Sequence, residues 1–210
     1  MQFETNHIYH IYNRGNNSQQ IFFNRRNYQF FLEKIRKHIL PFADILAWCL
    51  MPNHFHLMVY INYTQIQIDN SMSESMDKYG VKWGTNSNVQ RTLNKSIAIM
   101  LRSYTRAINN QENRNGSLFQ MTTKAICLTD NSKTTPSWFQ TYFGSVVNIP
   151  DPEKSYPQVC FNYIHENPVK SKLAAKTEDW EFSSYRDYAD LRKGRLVNKA
   201  KSREFGLTIY

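Results

Sequence analysis

A chain of 210 residues that is 41% hydrophobic and 14% aromatic can bury a core and is too apolar for global disorder. Its 26 Lys and Arg against 17 Asp and Glu give a net charge of +9, which permits a polyanionic partner without requiring one. No apolar run reaches the ~18 to 20 residues of a membrane span, and the start Met1-Gln2-Phe3-Glu4-Thr5-Asn6 lacks the basic and apolar stretches of a signal peptide. A soluble cytoplasmic protein without a membrane partner is expected. Cys49, Cys127 and Cys160 are odd in number and lack a CxxC pair, which argues against a disulfide framework and a thiolate zinc site and predicts reduced thiols.

The alternating β-formers His7 to Tyr12 predict a first strand, ending in the turn-prone Asn13-Arg14-Gly15-Asn16-Asn17. Tyr28, Phe31, Leu32, Ile35 and Ile39 recur at helical spacing, with Asn24 as N-cap and Pro41 as a stop. Residues 43–61 predict a hairpin turning at Pro52-Asn53. The polar stretch 62–88 reads as an insertion, and a helix is expected over about 88–110 from Val89, Leu93, Ile97, Met100, Leu101, Tyr104 and Ile108. A strand is expected over 117–128, after the Asn115-Gly116 turn. The stretch 129–155 carries Pro136, Pro150 and Pro152, and a short helix is expected from Ser155, as N-cap, to Glu166, before Pro168. The basic segment Lys193 to Arg203 reads as a solvated tail. The order β-α-β-β-α-β predicts an α+β fold: a ferredoxin-like split β-α-β antiparallel sheet with helices on one face, the other face free to carry a site.

Side chains alternate along a strand, so His54 and His56 share one face while Phe55, Leu57, Val59 and Ile61 form the buried one. Imidazoles at i and i+2 can converge on one metal ion or one phosphate. Two ligands do not make a metal site, and half-exposed strand histidines are common. In Phe161-Asn162-Tyr163-Ile164-His165-Glu166-Asn167-Pro168, Tyr163 and Asn167 are one helical turn apart and share a face, while His165 projects elsewhere. A tyrosine attacking a phosphate needs its hydroxyl fixed beside the phosphorus, and a nearby amide oxygen can complete a metal's coordination. Most tyrosines are core-edge aromatics. Glu166 is compatible with a cap, an ion pair, a ligand or a base.

These blocks together resemble a known family. His54-Phe55-His56, within Trp48-Cys49-Leu50-Met51-Pro52-Asn53-His54-Phe55-His56-Leu57-Met58-Val59, resembles the HUH strand of single-strand DNA transposases. Tyr9-His10-Ile11-Tyr12-Asn13-Arg14-Gly15, Tyr163-Ile164-His165-Glu166-Asn167-Pro168-Val169 and Ser183-Ser184-Tyr185 narrow the resemblance to REP-associated tyrosine transposases, over most of residues 7–188. The resemblance implies a nuclease and transposase that cleaves and rejoins single-stranded DNA at hairpin-flanked sites through a 5′-phosphotyrosine. It makes Tyr163 the nucleophile, His54, His56 and Asn167 the metal ligands, and Mg²⁺ or Mn²⁺ the cofactor.

The implied partner is single-stranded hairpin or repeat DNA, bound by a monomer or homodimer that is nucleoid-associated if prokaryotic. Asn13 and Arg14 belong to a matched block and are candidate DNA contacts, as are Lys95, Arg102, Arg106 and Lys124 by charge. The transposase domain would span residues 1–190, with insertions near 62–88 and 129–155 and a basic tail over 191–210. Lys170-Ser171-Lys172-Leu173 departs from the small residue and glycine more usual there. Two other classes compete: a non-catalytic ferredoxin-like nucleic-acid-binding protein, and a metal phosphoesterase that uses water and needs no Tyr163.

Overall fold

The computed structural model describes residues 1–68, 89–129, 139–140, 146–147 and 152–209. In chain order the elements are β1 (Ile8–Arg14), α1 (Arg25–His38), β2 (Ala43–Met51), β3 (His54–Ile61), β4 (Gln65–Ile68), β5 (Val89–Thr92), α2 (Leu93–Gln111), β6 (Lys124–Cys127), the short pair β7 (Phe139–Gln140) and β8 (Val146–Val147), α3 (Pro152–Lys170), α4 (Tyr185–Tyr188) and α5 (Lys199–Glu204). Strands β2-β3-β1-β6 form one antiparallel sheet in that order. With α1 and α2 this is the expected α+β, ferredoxin-like arrangement, and β1 and β3 are its central strands.

Helix α1 begins where its sequence says it should. Asn24 accepts from the Asn27 amide, and the Asn27 side chain accepts from the Asn24 amide, which closes a capping box. Tyr28, Phe31 and Ile35 then meet Ile97, Met100 and Tyr104 of α2 in one core with Phe55, Leu57, Val59 and Ile61 of β3. The alternation of β3 therefore falls as expected. Its other face is also covered, because α3 packs Cys160, Phe161 and Ile164 against Cys49, Met51 and Met58. The sheet face opposite α1 and α2 is thus closed by a third helix.

A bulge makes β2 serve both cores. The register with β3 shifts between Ile45 and Ala47. The extra residue puts Leu46 and Ala47 together on the α3 side, and beyond it Trp48 and Leu50 face the α1–α2 core. Gly15, after β1, packs so closely on the following turn that a Cβ would overlap the Gln19 carbonyl.

Several boundaries differ from expectation. Residues 89–92 are strand, pairing with β4, and α2 starts only at Leu93 with Thr92 as N-cap. The strand expected over 117–128 is confined to β6. Helix α3 begins at Pro152, so Ser155 lies inside it, and it runs through Pro168 to Lys170. Within the expected insertion, 65–68 form β4 while 69–88 lie outside the described residues; of 129–155, only Thr129, β7, β8 and the start of α3 are described. The basic C-terminal stretch is not a solvated tail. Leu196 and Leu207 are buried, Val197 bridges to Ile45, and Asn198 Nδ2 donates to Asp44 Oδ1 at 3.0 Å. Apolar residues between its cations dock it on β2. Cys49 and Cys160 are buried free thiols, as expected. Among the described residues no helix is long and apolar enough to cross a membrane.

Candidate active site

The site lies where α3 crosses the central strands. Phe161 and Ile164 anchor the helix in the second core, and the i, i+4 spacing turns Tyr163 and Asn167 together toward the sheet. On the sheet, His54 and His56 alternate onto this face. The Tyr163 ring lies 5.5 Å from the His56 ring, nearly perpendicular to it. Tyr163 and the two histidines of the same chain therefore meet without help from a second copy.

Asn167 is the hub. Its Nδ2 lies 3.1 Å from His56 Nε2. It also lies near enough to His54 to favour the charged imidazole, and to Tyr163 to favour the phenolate. Burial opposes both effects and is the larger cause in each: the His54 value falls to about 4, and the Tyr163 phenol is pushed above its ordinary value. His56 is held well below the usual histidine range by burial, with His10 and His54 adding to the shift. Near neutral pH the imidazoles are uncharged, with lone pairs to offer, and the phenol keeps its proton.

These residues fit a divalent cation. Adjacent ligands on an octahedral ion with bonds of ~2.1 Å stand about 3 Å apart, which is the His56–Asn167 separation. Turning the Asn167 amide over would put Oδ1, an oxygen donor, in the place of Nδ2. The His54 ring lies 5.0 Å from that of His56, so three donors gather at one place. Among the described residues there is no group of three or more His, Cys, Asp or Glu side chains able to hold a metal. A metal here would depend on the amide.

A further histidine belongs to the cluster. His10 Nε2 is 2.9 Å from His56 Nδ1, and its ring stacks on Tyr12 at 4.8 Å. Strand alternation alone could not single out His10, because both faces of β1 are covered. Lys170 was also missed: its Nζ lies 5.7 Å from the Tyr163 ring centroid and pairs with Glu166 at 2.7 Å, so Glu166 is in an ion pair. His165 is structural, buried with Nε2 2.7 Å from Ser184 Oγ.

The candidate DNA contacts divide between two faces. Arg14 sits opposite His54 in register, and its charge contributes to lowering the His54 value. Its Nη2 donates to Ser18 Oγ at 2.9 Å, while its buried Nε has no hydrogen-bond partner among the described residues. Lys124, exposed on the edge strand β6, is opposite Tyr12. Asn13 points the other way and donates to Gln120 O and Thr123 Oγ1, pinning the segment before β6. There it lines a groove of about 810 Å³ with Arg102, Arg106 and Arg114. Lys95 is exposed on α2 but is not part of the groove lining. The structure thus brings Tyr163, His54, His56, Asn167 and Arg14 together, and leaves Asn13, Arg102, Arg106 and Lys95 away from them.

No family model matches this chain, and no curated protein does. Among solved structures, it is similar to a REP-associated tyrosine transposase bound to a REP hairpin, with 13% identity over 94% of this chain and 92% of that one and a TM-score of 0.54. At that identity the likeness is one of fold: this chain has the fold of a REP-associated tyrosine transposase.

Proposed function

We propose that this protein is a tyrosine strand transferase that cleaves and rejoins single-stranded DNA next to a hairpin, with Tyr163 as nucleophile. The observation that carries this reading is the cluster around His56 in one chain: the Tyr163 ring at 5.5 Å, the His54 ring at 5.0 Å and the Asn167 amide at 3.1 Å. The shared fold, with a neighbour described as bound to a REP hairpin, supports a DNA substrate and transposition as the biological setting.

His54, His56 and Asn167 would hold Mg²⁺ or Mn²⁺, which when bound supplies Lewis-acid polarisation of the scissile phosphate. Tyr163 stands one helical turn from Asn167, with its ring 5.5 Å from that of His56, so attack would be a step between prepositioned groups. The Tyr163 oxygen forms a bond to phosphorus as the bond to the 3′ oxygen breaks. The phenol gives up its proton, the departing 3′ oxygen takes one up, and a 5′-phosphotyrosine remains. One phosphodiester replaces another, so a 3′-hydroxyl can reverse the step without ATP. Arg14, opposite His54 and with an Nε that has no hydrogen-bond partner among the described residues, is placed to contact a phosphate oxygen.

The competing binding-module class fits less well. RNA-recognition domains leave an aromatic sheet face open for base stacking, whereas here α3 covers the corresponding face and the central strand carries histidines. The decisive test is incubation with an end-labelled single-stranded DNA hairpin and Mn²⁺, followed by a denaturing gel. A covalent adduct is expected for the wild type, lost in Tyr163→Phe and on chelation with EDTA. Cleavage without adduct would assign the site to a water-using phosphoesterase instead.

A further inference from the structure

We propose that His10 is a positioning residue for His56: it holds the His56 ring by Nδ1 so that Nε2 faces Asn167 and His54 with its lone pair free. The inference rests on the metal-site reading above but starts from a contact which that reading does not use. His10 and His56 stand on the two central strands. In register His10 faces Met58 and Tyr12 faces His56, so His10 reaches His56 on the diagonal. The two nitrogens are 2.9 Å apart, and both residues are buried, 7% and 5% exposed.

Two neutral imidazoles make such a bond only when one nitrogen carries a proton and the other a lone pair. The far side of His56 decides which. A donor at Nε2, as Asn167 Nδ2 stands now, needs a lone pair there, and so does a cation. The His56 proton is therefore on Nδ1, and His10 Nε2 accepts it.

His54 shows the same design: its Nδ1 lies 2.6 Å from Asn53 Oδ1, which can only accept, so His54 too offers Nε2. Metal-binding histidines commonly have the second nitrogen fixed by a carboxylate or a backbone carbonyl. Among the described residues His56 Nδ1 has neither, and the His10 imidazole takes that place. His10 is itself confined by the Tyr12 ring at 4.8 Å and the Tyr163 ring at 6.3 Å.

Two variants of the full chain separate this role from simple packing. His10→Phe fills the ring volume without an acceptor, and His10→Gln restores an acceptor near the Nε2 position. Mn²⁺ affinity, read by electron paramagnetic resonance without DNA, should fall roughly 10- to 100-fold in His10→Phe and recover to within a few-fold of wild type in His10→Gln. Long-range ¹H–¹⁵N spectra of the metal-free wild type should show His56 protonated on Nδ1, with that preference lost in His10→Phe. A wild type that binds Mn²⁺ while His10→Phe binds it equally well overturns the role of His10, as does a His56 protonated on Nε2. A wild type that binds no Mn²⁺ sinks the metal-site reading itself, and the proposal falls with it.

Discussion

At the scale of single residues the molecule spends much of its histidine on buried, uncharged positions. Burial holds His10, His38 and His54 near about 4 and His165 at about 3, and His56 lies well below its ordinary value. The charged form of histidine is the protonated one, so a lowered folded value means the native state binds fewer protons than the unfolded chain. Stability from these groups is intact above the unfolded value near ~6.5 and drains as pH falls toward the folded values, by up to about 1.4 kcal/mol per pH unit for each group. Urea midpoints are therefore expected to drop steadily between pH 6.5 and 4. His165→Gln, which keeps a donor for Ser184 without a basic site, should make that drop shallower; an unchanged slope would show that His165 does not titrate on unfolding. Legibility at this scale is uneven. The His54, His56 and Tyr163, Asn167 pairs follow from strand and helix periods, because each pair lies on one continuous element. His10 reaches its partner across strands through a register that no local pattern encodes.

At the scale of elements, α3 shows why local rules misplaced a boundary. Pro168 reads as a stop, yet the helix passes through it and ends two residues later, at Lys170. Lys172 donates its amide to Val169 O and Leu173 donates to Pro168 O, both at 2.9 Å, with Lys172 at φ 57°. That pattern is a Schellman cap whose left-handed position favours glycine. A lysine there bears a conformational penalty on the order of 1 kcal/mol. The departure noted at Lys170-Ser171-Lys172-Leu173 thus has a structural meaning: it falls on the cap of the helix that carries Tyr163 and Asn167. Lys172→Gly should raise the unfolding free energy by up to about 1 kcal/mol, less the extra entropy glycine gives the unfolded chain, as measured by chemical denaturation. A loss of stability would mean that the lysine side chain makes a compensating contact. The hairpin β2–β3 and helix α1 were legible because turn, cap and hydrophobic period agree over each. The β4–β5 pair was not, because its strands are joined through the polar stretch between Ile68 and Val89 and neither is long enough to announce itself.

At the scale of the whole molecule, the +9 charge acquires a location. Arg14 and Lys124 lie on the tyrosine side of the sheet. Around the edge strand β6, the groove carries Arg102, Arg106 and Arg114 among amides and hydroxyls, with no acidic residue in its lining. Arg114 already donates to Gln19 Oε1 at 2.5 Å, whereas Arg102 and Arg106 are exposed and have no ion pair among the described residues. A backbone of phosphates leaving the Tyr163 site past Arg14 and Lys124 would therefore meet two uncommitted guanidinium groups next. Each phosphate neutralised on a single strand contributes about 0.7 to the slope of log affinity against log salt. The double variant Arg102→Ala, Arg106→Ala should lower that slope by roughly 1.4 and weaken binding uniformly across sequences. Adduct formation at saturating DNA should persist, since neither arginine approaches the tyrosine cluster. Arg36→Ala, which removes a guanidinium paired with Glu33 at 3.3 Å, supplies the control and should leave the slope unchanged. An unaltered slope in the double variant would remove the groove from the DNA path while leaving the chemistry assigned to Tyr163 intact. On the proposed reading, binding and strand transfer would occupy separable surfaces, joined at β1 by the neighbours Asn13 and Arg14, which project to opposite faces of the sheet.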